Sequence, residues 1–571
     1  MLPPEILRIV LLIGLAATGY MMILAWSDDR QANSEPVTYD QGPVLDASPS
    51  DLPDAAVTVD APTVTDSDVP DASLIADSEG VTEPVSNVAQ TVQSNDRLIK
   101  VTTPSHWVWI DLQGGDVVRV QLPKFPISLD RPDLPYKIMD QAVARLYVAQ
   151  SGLVGTNGTD SNGRARYYAD VDSLEVVEGS DSLVLKLDRP EGQVRKIFTF
   201  HAHDYLIDVR YEMDNVTAEP LKAALFAQIK RDARPPETEE SFALAPQPYL
   251  GAAFTTPEEN YLKLDFEDVD EQRFDTTVMG GWVAFLQHYF LSAWVAPQEE
   301  NNRFFARPSA DGRYLFGFTG GLKTVAPGSQ GEWQTSLYVG PKDQKRLEEI
   351  APNLNLTIDY GFLWWLAMPL FLLLDFLYSL VGNWGLAIIL LTFVVKAVLY
   401  PLSAAGYKSM ANMRRVAPAM KKLQERYAND REKLSREMMA LYKKEGANPL
   451  GGCLPMLLPM PIFIALYWVL FESVELRQAP FFLWIEDLSQ MDPLFILPLL
   501  MGASTYWMQS LSPQVGDPMQ QRMMKMMPIM FTVLFLFFPA GLVLYWLVNN
   551  LLSIAQQQYV YRKADQAQAQ A

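Results

Sequence analysis

The chain has one cysteine among 571 residues, and that scarcity removes two classes of explanation. No intrachain disulfide can form, and no thiolate cluster can hold zinc. Cys453 reads as a small buried apolar residue. Histidine is nearly as rare, with four in all. His201 and His203 are expected on one face of a strand, where packing or surface roles outweigh metal binding. Positive charge is short as well: 46 Lys and Arg stand against 67 Asp and Glu, for a net charge of −21. That balance argues against nucleic-acid binding by the whole protein, and no direct nucleic-acid site is expected. The patterns HExxH, GxSxG and GxxxxGK[ST] are missing, so the expectation is no enzyme, no cofactor and no metal.

Long apolar runs, by contrast, are plentiful. The first, Ile6–Trp26, has Arg8 near its start and precedes Asp28 and Asp29, so residues 1–26 read as an uncleaved anchor with its N-terminus in the cytoplasm. A cleaved signal peptide is the competing reading. Residues 27–97 follow as an acidic tether with no helical or strand period, too polar to offset the entropy of ordering. Over 98–354 the pattern changes. Runs such as Ser182–Leu187, Val194–Phe200, Tyr205–Tyr211, Arg313–Phe318 and Trp333–Val339 alternate and favour β-branched and aromatic residues. They predict a large antiparallel β-sandwich, closed by a short charged helix near Pro341–Leu354.

Two apolar runs come next, 361–381 and 383–403. The segment after them, 404–448, holds 11 Lys and Arg against 5 Asp and Glu and is therefore expected in the cytoplasm. Parity then allows one crossing. The first run carries Asp375, Pro369 and Trp364-Trp365 and reads as an interfacial amphipathic helix; the second is expected to cross. Residues 404–448 themselves predict an antiparallel helical hairpin with a methionine-bearing seam. Three further apolar blocks follow: Pro449–Phe471, Pro493–Leu511 and Pro528–Val560. The last is too long for one span and has Phe538-Pro539-Ala540-Gly541 at its middle, so it should fold as two helices. The fold expected is a polytopic α-helical membrane protein of six spans, with a five-helix core over 383–560 and a short cytoplasmic tail, 561–571.

Within 383–403 a single side chain is charged, Lys396, near the middle of the run. A cation there costs about 2.5–3.5 kcal/mol on insertion scales and needs water, a partner or a function. Snorkelling toward the nearer interface is one reading. The other is a polar groove, because Thr392, Lys396 and Ser403 fall at i, i+4 and i+11, one helical face. Tyr545, Asn549 and Gln556 repeat that spacing in the last run, and Ser504 and Gln509 lie in the one before. Interhelical hydrogen bonding is the plain reading of any one of these.

The segments KAVLYPLSAAGYKSMANMR, EMMALYKKEGANPLGGCLPMLLPMPIFIALYWVL, DPMQQRMMKMMPIMF and FPAGLVLYWLVNNLLSIAQQQ resemble the YidC membrane protein insertase family of Gram-negative bacteria over about 360–562. That resemblance implies an inner-membrane insertase and chaperone with a large periplasmic domain. Its implied partners are nascent membrane proteins, the Sec translocon with its accessory subunits, the ribosome, the signal-recognition pathway and membrane lipids. It also implies a groove with one basic residue at its heart, here Lys396, joined by Thr392 and Tyr545, while Phe463 and Met501 line a greasy face for a substrate helix. Three positions depart from the family pattern: Lys396 for arginine, Pro459 for glutamine and Trp546 for tyrosine. A transporter of an ion or small solute along the same polar stripe is the alternative function.

Overall fold

A computed structural model describes residues 97–142, 145–161, 163–235, 248–427, 430–445, 458–511 and 518–569. The anchor over 1–26, nearly all of the acidic tether, the Ala428-Asn429 break, Cys453 and the start of the run at Pro449 lie outside these residues.

From Leu98 to Pro341 the chain builds two sheets. The first has 11 strands and runs from Phe274–Met279 at one edge, through Leu221–Arg231 and Leu146–Val154, to Leu98–Thr102 and Ser173–Glu175 at the other. The second has 9 strands, with Gln330–Pro341, Leu206–Asp214, Gly192–His201 and Ser180–Arg189 side by side. Pairing is antiparallel except between Leu98–Thr102 and Ser173–Glu175. Alternation decides which side chains turn inward. Leu183 and Val209 both face Phe198 across the ladder, and all three are buried. One hydrophobic core joins them to Val101, Val120 and Leu225 of the other sheet, which makes the pair a sandwich.

A polar knot sits inside that core. Lys196 is fully buried and donates to the carbonyls of Gly114, Gly115 and Ser151 at 2.8–3.1 Å. The first two carbonyls can face it because Gly114 and Gly115 adopt φ of +81° and +62°, where a side chain is strained. Asp116 and Asp160, both bonded to Arg164, complete the knot. His203 lies in the turn beyond the strand that His201 ends, so the two histidines do not share a strand face as the alternation suggested. His201 instead meets Asp208 at 3.1 Å.

Helix α1 (Gln344–Ile350) leads to α2 (Trp364–Val381), and the ion pair Lys345–Asp375 ties the two. Then come α3 (Trp384–Val398), α4 (Tyr400–Arg426), α5 (Arg431–Glu445), α6 (Met460–Glu472), α7 (Ile496–Leu511), α8 (Pro518–Phe535) and α9 (Ala540–Ala569). The expected run 383–403 is not one helix. The chain turns by 68° at Leu399, between α3 and α4, where Pro401 can start a helix but cannot continue one. Among the described residues one helix, Gly361–Val381, is long and apolar enough to cross a membrane alone, the run that parity laid in the interface. The bent pair α3–α4 passes the same test only together.

Elsewhere the helical pattern follows the sequence closely. Met413, Val416 and Met420 of α4 are buried against Met438, Leu441 and Tyr442 of α5, the anticipated seam. The block 528–560 breaks at Pro539, but α8 begins earlier than expected and takes in Met523 to Met527. Helices α7 and α8 approach so closely at Gly502 that a Cβ there would collide with Thr532.

Candidate functional site: a lysine held in a helical bundle

The site starts with α3, whose N-cap Asn383 accepts a hydrogen bond from the Leu386 amide. Three helical turns later Lys396 projects toward α9 and donates to Ser553 Oγ at 2.7 Å. Ser553 in turn donates to the Asn549 carbonyl at 2.7 Å, one turn earlier in α9. Tyr407 of α4, also buried, brings its hydroxyl to Ser553. No carboxylate among the described residues pairs with Lys396. Its charge is therefore met by dipoles alone, half-buried where three helices converge.

Further polar contacts lie along α9 on either side of Ser553. Asn550 Nδ2 donates to Ser504 Oγ at 3.0 Å and to Thr505 Oγ1 at 2.8 Å, bridging α9 to α7. Gln556 Nε2 reaches the Tyr400 carbonyl at 3.4 Å, and Gln557 Nε2 donates to the Tyr561 hydroxyl at 2.9 Å. The result is a polar seam down α9 that meets the cation of Lys396 at Ser553.

The residues singled out from sequence fall unevenly around this seam. Thr392 is on the Lys396 face but fully buried, and its hydroxyl donates to its own helix at Ile388. Ser403 is buried on α4, beyond the bend, so the one-face reading holds for Thr392 and Lys396 alone. Tyr545 and Asn549 are buried on α9 as part of the bundle. Phe463 of α6 packs edge-on to Trp546 at 4.6 Å and stacks with Tyr545 at 6.5 Å. Met501 has no exposed surface, and its carbonyl accepts from Ser504 and Thr505, so α7 must shift before any outside helix touches it. Sequence spacing missed Ser553 and Asn550, the two residues that hold the polar contacts. A polar residue every third or fourth position from Asn549 to Gln557 was the available signal. No group of three or more His, Cys, Asp or Glu among the described residues is placed to hold a metal.

The bundle is clamped to the β-sandwich at the end of α6. His288 Nε2 lies 2.9 Å from the Phe471 carbonyl and its ring stacks on Phe471 at 4.6 Å. Burial pushes the His288 imidazole down to about 4, so the neutral ring donates there. Burial also pushes the carboxyl of Glu475, just beyond α6, up to about 7.

These features define a class: a helical membrane module with an unpaired internal cation, fixed to a large β-sandwich. The model of the 60Kd inner membrane protein family matches residues 376–567, and that of the YidC periplasmic domain matches 98–373. The chain is 47% identical over 569 residues to a protein of Azotobacter vinelandii named membrane protein insertase YidC, covering 99% of both chains. Equivalent proteins of Pseudomonas fluorescens and Cellvibrio japonicus, with the same name, are 47% and 48% identical. The chain belongs to the YidC family of membrane protein insertases. It is an inner-membrane protein whose work is inserting other proteins, and the relatives' names give no support to the transporter alternative.

Proposed function

We propose that Lys396 receives acidic tails of nascent single-span proteins inside the bundle and releases them on the far side of the membrane. In this reading six spans place both termini in the cytoplasm and the β-sandwich in the periplasm, with the domain limits given above. In the same reading Thr392, Ser403, Tyr545 and Asn549 line a groove that opens around Lys396 when a client enters, and Phe463 with Met501, once α7 has shifted, backs the path of the client helix. The carrying observation is that Lys396 bonds to a hydroxyl instead of a carboxylate. Its charge stays available to an incoming acid.

No nucleotide is needed. A 20-residue apolar client helix gains roughly 6–12 kcal/mol on entering lipid, at −0.3 to −0.6 per residue. Passage of the polar tail opposes that gain, and a wet path part-way through the bilayer shortens the dry distance. The membrane potential adds about 2.3 kcal/mol per negative charge moved outward per 100 mV. Ribosomes and the signal-recognition pathway deliver clients in this scheme, and the Sec translocon shares the larger ones. Crosslinkers placed at Ser553, Thr392 and Phe463 should capture a stalled nascent chain. Capture only at outward-facing α8 positions would place the client path outside the bundle.

A further inference from the structure

By composition the connection between α6 and α7, with Glu475, Glu486, Asp487 and Asp492, reads as an acidic external loop. Its side chains are arranged the other way round. Asp492 is fully buried and accepts from Trp484 Nε1 and from the Leu494 and Leu497 amides, which caps the start of α7. Asp487 accepts from the amide and hydroxyl of Ser489. Of the four acids, Glu486 is the one left exposed. Outward instead point Phe482 at 52% exposure, Leu483 at 87%, Leu494 at 57% and Phe495 at 40%.

This outward display is fixed by the backbone. Leu483 and Phe495 adopt φ of +60° and +56°, a region that costs a bulky side chain and persists where the surroundings enforce it. Hydrogen bonds supply that enforcement. The Phe481 amide donates to Ile485 O, Leu488 to Ala479 O, Ala540 to Gln490 O and Gly541 to Leu488 O, at 2.7–3.0 Å. A rigid loop with acids inward and large apolar groups outward is built for an apolar solvent.

We propose that the loop 480–495 dips its apolar side into the outer leaflet, with Phe482, Leu483, Leu494 and Phe495 against lipid chains and Glu486 on the aqueous side. Two observations select lipid as the occupant. Helix α3 has 15 residues and rises about 22 Å, short of the ~30 Å apolar thickness, so the apolar surface must continue past one of its ends. At its start Asn383 Nδ2 donates to the Pro480 and Phe481 carbonyls, and Phe481 fills the space over Gly385, which brings the loop to that end. Further exposed apolar surface follows on α7 at Leu499 and Leu500.

The test uses the full chain with Cys453→Ser and one new cysteine, carrying an environment-sensitive fluorophore, in phosphatidylcholine–phosphatidylglycerol vesicles. At Leu483→Cys and Phe482→Cys the emission should be blue-shifted and quenched several-fold more by shallow doxyl-labelled lipid than by iodide. At Glu486→Cys the order should reverse. Iodide quenching at both apolar positions would show a loop in water, and protection from both quenchers would show a protein cover. Either result overturns the proposal.

Discussion

Lys342 Nζ lies 2.9 Å from Glu472 Oε2, and both side chains are buried. One belongs to the end of the β-sandwich and the other is the last residue of α6, so this ion pair ties the two parts of the molecule beside the His288–Phe471 contact. Removing the cation alone, as in Lys342→Met, strands a buried carboxylate and should cost about 3–5 kcal/mol. Adding Glu472→Leu should restore most of the loss, because two apolar groups replace two charges. Thermal unfolding of the purified protein in detergent reads both variants.

Acidification should loosen the same seam through His288. Its folded value, about 4, lies below the ordinary 6.5, so between these pH values the unfolded chain binds a proton that the folded chain refuses. Stability from the neutral ring is complete above pH 6.5 and falls as pH drops toward 4, by at most about 3 kcal/mol. Glu472 opposes this fall, and Lys342 and Arg477 reinforce it. Glu475, raised to about 7, works in the opposite sense between pH 7 and 4.5. The difference between wild type and His288→Phe isolates the histidine. The variant should lose less stability between pH 6.5 and 4 in melting experiments.

Asn550 bridges α9 to α7 through two hydroxyls. Interhelical bonds of this kind average about 0.6 kcal/mol in membranes, so Asn550→Leu should destabilise the bundle by about 1 kcal/mol. Its effect on insertion should not depend on the charge of the client's tail. A loss that grows with tail acidity would assign Asn550 to the same task as Lys396.

How far the sequence discloses this structure depends on whether a pattern is local. The strands around Phe198 and Val209 are plain because alternation is written into each run. The seam at Met413, Val416 and Met420 is plain for the same reason at helical spacing. Lys396 stands out as one charge in an apolar run. Its partner does not, because Ser553 is 157 residues away and no periodicity tells which face of α9 meets α3. Pro401 is visible in the sequence as a residue that ends one helix and starts another, but its type does not give the 68° turn that moves Ser403 off the Lys396 face. The loop 480–495 misled through composition: its acids are spent on backbone amides, which a count of charges cannot reveal.

The most direct measurement is insertion of one single-span client carrying zero, one, two or three acidic residues in its translocated tail, by wild type, Lys396→Arg and Lys396→Gln. The glutamine variant should insert the neutral tail nearly normally and lose about tenfold by two or three acids, while the arginine variant follows wild type. Equal losses at every tail charge, or no loss at all, would contradict a cation that receives acidic tails.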